Sequence, residues 1–355
     1  MTTTIAVLPG DGIGPEVTEA ALTVLNSLVD VECRWAPVGG AGIDASGDPL
    51  PADTLRLCRA SNAVLLGAVG GPRWDAAPRR PEQGLLDLRR GLGLFANLRP
   101  ARHLGLPTPL REEVARLADV LVVRELSGGV YFGEPRSYQP ERALDTWVQS
   151  ADEVRAVAQV AFEQARRRRR HVTSIDKANV LAASRLWRTV VGEVARDYLD
   201  VTLEHRYVDA MSFELLVRPR AFDVLLADNL FGDILSDEAA AIAGSIGVLP
   251  SASLGPGPGL FEPVHGAAPD IAGRGVANPC GAILSVALLL EIALARPDLA
   301  RAVERAVEAA LRDVRTPDLG GSATTAEFVR AVQAHLAWTR WSDSPVQPAA
   351  TEWGV

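Results

Sequence analysis

Apolar positions along this chain follow two spacings. Short runs that are mostly apolar occur at residues 3–8 (TTIAVL), 64–66, 120–123 and 223–227, and 172–175 (VTSI) is apolar at both ends. Runs this short, closed by glycine or polar residues, predict strands buried on both faces. Between several of them apolar residues recur at helical spacing, over 15–29, 151–170, 180–197, 233–244 and 280–295. The first of these helices follows a glycine turn, PGDGIGPEV, with Pro15 at a suitable first helical position. Strands alternating with helices in this way predict an α/β protein with substantial parallel pairing. The chain shows no internal repeat. From about Ser342 the periodicity lapses around Pro345 and Pro348, so a loose tail is expected.

A chain of 355 residues exceeds one ordinary core, so two domains are expected. Its 48% hydrophobic share fits a globular protein, and no apolar run is long and pure enough to span a bilayer. The apolar stretch 282–295 reads instead as a buried helix. A formal net charge of −8 argues against nucleic acid or an anionic membrane as the main partner. The arginine run 166–170 leaves that conclusion standing, because it closes an amphipathic helix, where cations are favoured. Cys33, Cys58 and Cys280 are odd in number and lack metal-ligand spacing, so they read as buried thiols of a reducing compartment. The first apolar run is short and has no basic segment ahead of it, so a signal peptide is not expected and a cytoplasmic location is.

Composition also isolates one residue. Of 36 basic residues, lysine supplies only Lys177. A strong preference for arginine replaces lysine wherever any cation suffices, so the survivor should stand where arginine fails. Arginine cannot lose its proton in a protein; lysine can, and burial lowers its pKa readily. Lys177 is therefore a candidate general base, with retention at a structural salt bridge as the alternative. It lies in SIDKANV, at the predicted end of a strand, where α/β sheets carry their sites.

Other residues add a possible cation and a possible anion. Asp233 and Asp237 stand four apart in LFGDILSDEAA, so both project from one helix face. Stacked like charges are unfavourable unless a cation joins them, and hard divalent cations take carboxylates, waters and substrate oxygens. An exposed acidic face is the alternative. Asp209 of YVDAM lies in an apolar setting, where an unpaired carboxylate is costly. A third metal ligand or a helix cap would account for it. Arg89, Arg99 and Arg124 stand in apolar or glycine-rich settings, and each guanidinium can grip a carboxylate through two hydrogen bonds. One would be an ordinary salt bridge; three beside a metal site point to a di- or tricarboxylate. Tyr131, following Gly128 and Gly129, is a candidate acid or a packing aromatic. Residues 261–279, FEPVHGAAPDIAGRGVANP, read as an ordered loop that could wrap a nucleotide, or as a plain surface loop. Its polar groups are His265, Asp270 and Asn278, and an Asp that binds ribose hydroxyls would favour NAD over NADP. Neither GDGIGPE nor GAVGGP fits G-x-G-x-x-G, so the motifs do not support a Rossmann fold.

Taken in order, LPGDGIGPEV, FANLRPA, RELSGGVYFGEPR, DKANV, DNLFGDILSD and EPVHGAAPDIAG resemble the β-decarboxylating dehydrogenases of 3-isopropylmalate, isocitrate, homoisocitrate and tartrate. The likeness runs from Ile5 to about Leu336. It implies an α/β fold of the isocitrate/isopropylmalate dehydrogenase type, with two open α/β domains and the active site in the cleft between them. Residues 1–94 plus 244–340 would bind the cofactor. Residues 95–243 would carry the dimer interface, substrate and metal, with an arm near 133–150, and 341–355 would be the tail. It also implies a homodimer with shared sites, Lys177 and Asp209 coming from one subunit and Asp233 and Asp237 from the other.

By the same resemblance, Arg89, Arg99 and Arg124 bind the malate carboxylates, and Asp209, Asp233 and Asp237 hold Mg²⁺ or Mn²⁺. Lys177, through a water, takes the hydroxyl proton as hydride passes to NAD, and Tyr131 protonates the enol carbon left by decarboxylation. Glu82 would lie near the nicotinamide. His265, Gly266, Ala267, Ala268, Asp270 and Asn278 would line the adenosine site. Leu85 and Leu86, with Val180 of the partner subunit, replace the polar residues that isocitrate enzymes use for a third carboxylate, so a 3-alkylmalate is implied. 3-Isopropylmalate, in leucine synthesis, is the first expectation; a benzyl or longer alkyl malate is the alternative. Outside catalysis, an idle regulatory paralogue is the alternative, but the aspartates, lysine and tyrosine such subunits lose are all present. Three departures stand out: Ala267 where the family has serine, Gln149 in the arm, and an extra Pro-Gly pair in LPSASLGPGPG, expected to change a loop near the cofactor.

Overall fold

A computed structural model of the chain describes residues 3–342. Its strands are β1 (Thr4–Gly10), β2 (Glu32–Trp35), β3 (Ala63–Ala68), β4 (Ala96–Arg102), β5 (Asp119–Glu125), β6 (Ser137–Gln139), β7 (Arg142–Leu144), β8 (His171–Asp176), β9 (Thr202–Tyr207), β10 (Val224–Ala227), β11 (Pro250–Leu254) and β12 (Gly259–Pro263). Its helices are α1 (Gly14–Asn26), α2 (Gly40–Ser46), α3 (Ala52–Ala60), α4 (Pro81–Gly91), α5 (Glu112–Ala115), α6 (Ala151–Arg166), α7 (Ala182–Val194), α8 (Val208–Val217), α9 (Asn229–Glu238), α10 (Ala240–Ala243), α11 (Cys280–Ile292), α12 (Pro297–Asp313) and α13 (Thr325–Ser342).

Ten strands form one sheet in the order β2-β1-β3-β12-β11-β4-β5-β10-β8-β9. Its two wings are parallel, as expected: β2, β1, β3 and β12 on one side, β5, β10, β8 and β9 on the other. The centre is antiparallel, through β12–β11, β11–β4 and β4–β5. The expected domain boundaries fall between these strands, and the β11–β4 pairing carries the sheet across them. Alternation along β1 shows why the strand runs are apolar throughout. Ile5 and Val7 pack in a core with Val17, Ala21 and Leu25 of α1, while Ala6 and Leu8 pack in a second core with Val64, Leu66 and Leu88. The apolar helix α11 is buried among α1, α12, β11 and β12. No helix among the described residues is long and apolar enough to cross a membrane.

Several expectations shift at the element ends. The helix expected over 151–170 stops at Arg166; a capping box of Ser150 and Glu153 starts it, and Arg170 turns left-handed at φ 59°. The arginine run that follows is sewn into the protein: Arg166 pairs with Asp200, Arg168 with Asp119 and Asp223, and Arg169 donates to the Phe222 carbonyl. The helix expected from 233 starts earlier, at Asn229, because the Asp228 carboxylate caps it by accepting from Phe231 N at 3.0 Å. Residues 261–263 belong to β12, so the loop begins only at Val264. The first half of LPSASLGPGPG is β11, paired Ala252 to Phe261 in a hairpin. Its turn packs against Gly93, at the end of the hairpin opposite Val264, so the extra Pro-Gly pair lies away from the 264–279 loop. The arm contains the exposed hairpin β6–β7. Cys58 and Cys280 are buried, but Cys33 is half-buried. Helix α13 continues to Ser342, so the tail boundary at 341 falls inside it, and residues 343–355 lie outside the described part.

Candidate active site

Helix α4 forms one wall. Glu82, Leu85, Leu86 and Arg89 are spaced by three, four and seven residues, which puts them on one helical face. Glu82 meets the turn after β3: a Cβ on Gly70 would come within 2.8 Å of its Oε1, and Gly70 has φ 118°. That positive φ is what favours glycine here, since the Glu82 carboxylate could swing aside. Leu85 and Leu86 are half-buried. Arg89, buried at the far end, donates from Nη2 to Glu262 Oε1 at 2.9 Å, while its buried Nε has no partner.

The adjacent strands β4 and β5 supply Arg99 and Arg124. Arg99 Nη1 donates to Ser236 Oγ at 2.8 Å and to Asp237 Oδ1 at 3.2 Å, and lies 3.5 Å from Asp233 Oδ1. Arg124 Nη1 donates to Asp233 Oδ1, and the Tyr131 hydroxyl donates to Asp233 Oδ2 at 2.8 Å. Asp233 and Asp237 thus project from one face of α9, as their spacing predicted. Gly232 makes the crossing possible, since a Cβ there would stand 2.7 Å from Arg124 Cγ. Burial lowers the pKa of Arg99, and it lowers Arg124 to about 10 with help from the neighbouring guanidiniums. Burial and the hydrogen bond to Asp233 raise the Tyr131 phenol, which keeps its proton available. Burial also raises Asp237, opposed by Arg99.

Lys177 and Asp209 form a separate pair. They follow the neighbouring strands β8 and β9, and Lys177 Nζ pairs with Asp209 Oδ1. The Asp209 side chain, for all its apolar neighbours in sequence, is 67% exposed and that of Lys177 26%, and each charge is satisfied by the other, the salt bridge that was the alternative for Lys177. The lysine contact holds the Asp209 carboxyl below its ordinary value. Val180, nearby in sequence, is 63% exposed. Among the described residues no three His, Cys, Asp or Glu side chains converge on a metal position. Asp233 and Asp237 are the hard oxygen donors a divalent cation takes, and a single chain supplies only these two there. They fit such an ion when Asp209 of another copy, waters or substrate oxygens complete the set.

The 264–279 loop closes on the first glycine turn. Ile13 N donates to the Ala267 carbonyl at 2.8 Å, and a Cβ on Gly12 would stand 1.9 Å from that oxygen. Ala267 makes this contact through its backbone. Glu16 of α1 accepts from Gly275 N at 3.3 Å and Ala277 N at 3.0 Å, fixing the far end of the loop. His265 is kept neutral by burial, with Nδ1 3.0 Å from the Gly266 carbonyl and Nε2 unpartnered. Asp270 and Gly266 are exposed, and Ala268 has φ 38°. Asn278 is committed elsewhere: it donates to Asp318 at 2.9 Å and accepts from Cys280 N at 3.0 Å.

Sequence reasoning missed the residues that hold this arrangement. Glu262 pairs with Arg89 from 173 positions away. Asp11, buried in the glycine turn, accepts from Gly40 N, Ala41 N and Gly70 N at 2.8, 2.8 and 2.9 Å and so ties three loops together. Both lie inside motifs quoted above, but a motif does not show a distant partner.

Arg99 and Arg124, paired with two aspartates at the antiparallel seam of a mixed sheet and with Arg89 near enough for its charge to act on both, have the chemistry of a site for a small polycarboxylate beside a hard cation. A family model described as isocitrate/isopropylmalate dehydrogenase matches residues 4–332. The chain belongs to that family. It is 52% identical over 349 residues to the 3-isopropylmalate dehydrogenase of Gloeobacter violaceus, covering 94% of this chain and 96% of that one. It is 51% identical over 341 residues to that of Deinococcus radiodurans, covering 92% and 96%. Among solved structures it resembles an isocitrate dehydrogenase from Methylococcus capsulatus, with a TM-score of 0.86, 35% identity and coverage of 94% and 99%. A β-decarboxylating dehydrogenase from Thermococcus kodakarensis, in its apo form, gives 0.83, 38%, and 96% and 98%.

Proposed function

We propose that this chain catalyses NAD-dependent, metal-dependent oxidative decarboxylation of (2R,3S)-3-isopropylmalate to 4-methyl-2-oxopentanoate and CO₂, the step leucine synthesis requires. The observation that carries this reading is the pairing of Arg99 and Arg124 with Asp233 and Asp237, with the Arg89–Glu262 pair near enough for the Arg89 charge to act on both arginines, and with apolar Leu85 and Leu86 on the same face of α4 as Arg89. An apolar wall cannot hold a third carboxylate cheaply. The relatives at about half identity carry the same activity in their names.

Charge supports joint binding of substrate and cation. The three guanidiniums face three carboxylates, those of Asp233, Asp237 and Glu262, so the cluster starts near neutrality. A dianionic malate alone would upset that balance, and a divalent cation bound with it restores it. When bound, the cation supplies Lewis acidity at the C2 oxygen and NAD the hydride acceptor. The arginines turn the two substrate carboxylates and fix the reacting carbon. Tyr131, already a donor to Asp233, gives its proton to the carbon that loses CO₂. Lys177 accepts the hydroxyl proton and is held by Asp209 until substrate arrives.

In one chain Lys177 and Asp209 make no contact with Asp233 or Asp237, which favours a homodimer in which each pair completes the other copy's site. Exposed Val180, Phe213 and Ile234, on or next to α7, α8 and α9, give that contact an apolar surface. The 264–279 loop, with exposed Asp270, takes the adenosine of NAD, and Glu82 lies towards its nicotinamide. Residues 1–94 and 244–340 form the cofactor domain, and 95–243 the substrate, metal and dimer domain. Three unpaired cysteines favour the reducing cytoplasm.

A panel of malates bearing isopropyl, methyl, benzyl or carboxymethyl groups at C3 tests the reading. NADH formation should require Mg²⁺ or Mn²⁺, with the highest kcat/KM for isopropyl. Preference for another substituent would move the substrate, and absence of metal-dependent turnover would remove the activity.

A further inference from the structure

Arg99 and Arg124 are each held from behind by a fully buried asparagine. Arg99 Nε donates to Asn97 Oδ1 at 2.8 Å. Arg124 Nε and Nη2 both donate to Asn229 Oδ1, at 3.1 and 2.8 Å. The Nε–H lies in the guanidinium plane, so a fixed acceptor there sets the plane and leaves the other edge free for carboxylates. The asparagines are themselves anchored. Asn97 Nδ2 donates to Ser251 Oγ and Ser253 Oγ of β11 at 3.2 and 3.0 Å. Asn229 Nδ2 donates to the Gly128 carbonyl at 3.1 Å, and Gly128 N donates to Glu125 at 3.0 Å. The turn at Gly128 is thus gripped at both its carbonyl and its N–H, three residues before Tyr131. Gly129, at φ 78°, gives the turn its left-handed backbone beside Asn229. Arg89 has no such backing, and its Nε is unpartnered.

We infer that Asn97 and Asn229 are positioning residues that fix the guanidinium planes of Arg99 and Arg124, and that Asn229 also couples Arg124 to the turn carrying Tyr131. The inference rests on the proposed role of these arginines as carboxylate ligands. Asparagine is the side chain the position demands, because one end must accept from arginine while the other donates to a carbonyl. Asp228 caps α9, so the Asn229 side chain is free for this task.

The test compares Asn229→Leu in the wild-type and Arg124→Lys backgrounds, with 3-isopropylmalate, Mg²⁺ and NAD. Lysine is a point charge with no plane to set. In the wild-type background kcat/KM should fall about 100-fold, the cost of a misplaced group near the chemistry. In the Arg124→Lys background the further loss should shrink to about tenfold, the part carried by the Gly128 contact, because the part carried through the guanidinium plane is already gone. A structural role alone would cost the same factor in both backgrounds, and that outcome overturns the inference. If Asn229→Leu does not fold, Asn229→Asp keeps the acceptor for Arg124 and removes the donor to Gly128. It should lower kcat about tenfold with the substrate KM within about threefold of wild type, the signature of an interaction made in the transition state. An unchanged kcat would overturn the coupling to Tyr131. Absence of turnover by the wild-type protein would instead overturn the functional reading.

Discussion

Asp228 offers a stability test that the structure makes quantitative. Its carboxylate is 3% exposed and caps α9 through Phe231 N. Burial pushes its pKa from 3.8 up to about 7, and the Glu125 carboxylate pushes in the same direction. The folded chain therefore holds this proton more tightly than the unfolded chain. The corresponding stability is fully present below the unfolded pKa and is lost as pH rises from about 4 through about 7. A shift of about three units corresponds to about 4 kcal/mol once both states are ionised. Asp228→Asn removes the buried charge and keeps an equally good cap. The variant should be more stable than wild type by up to about 4 kcal/mol near pH 8, but by only about 1 kcal/mol near pH 4.5. Urea unfolding at both pH values, at fixed protein concentration, reads the difference as a shift in midpoint at constant slope. An equal shift at both pH values, or a loss of stability near pH 8, would refute the reasoning.

Three further outcomes follow from particular contacts. Lys177→Arg should fold and keep its pairing with Asp209, yet lose about 100-fold or more in kcat, since arginine cannot act as a base; near-normal kcat would remove lysine from proton transfer. Gly12→Ala places a Cβ 1.9 Å from the Ala267 carbonyl at a residue with φ 58°. It should raise the KM for NAD about tenfold or more and leave that for 3-isopropylmalate within about twofold, as expected when only one ligand's loop moves; equal changes in both would separate this loop from the cofactor. Exposed Asp270 should make kcat/KM for NAD exceed that for NADP by about 100-fold, through repulsion of the 2′-phosphate; equal values would count against that role.

In the parallel wings β1, β3, β5, β8 and β10 were legible because their strands are buried on both faces, with a continuous apolar run as in 120–123 or apolar ends as in 172–175. The antiparallel centre was not. β4 reads ANLRPAR, with buried Asn97 and Arg99 and with Pro100, because the site is built into the strand itself. β11 reads PSASL, where Ser251 and Ser253 serve Asn97 and leave no apolar run. β9, TLEHRY, is an edge strand whose charged residues hide its pattern. The site followed the same logic. Asp233 and Asp237 declared themselves by helical spacing, and Lys177 by its rarity. Glu262 and Asn229 act on arginines 173 and 105 residues away, and Asn97, beside Arg99 on one face of β4, is fixed by serines 154 and 156 residues away; spacing carries no trace of such distant contacts. The apolar setting of Asp209 in sequence did not bury it, because its carboxylate pairs with Lys177 at an open edge of the chain.

That open edge leads to the most direct test of the account, that each active site is assembled from two copies. Lys177→Met and Asp233→Asn should each be inactive alone. After unfolding and refolding as an equimolar mixture, half of the dimers pair one variant with the other. Each such dimer has one site with both its lysine and its aspartate intact. The mixture should regain about a quarter of wild-type NADH formation with 3-isopropylmalate, as random pairing of a two-fold symmetric dimer dictates. Activity no greater than that of the separate variants, in a mixture shown to contain mixed dimers, would contradict the shared site.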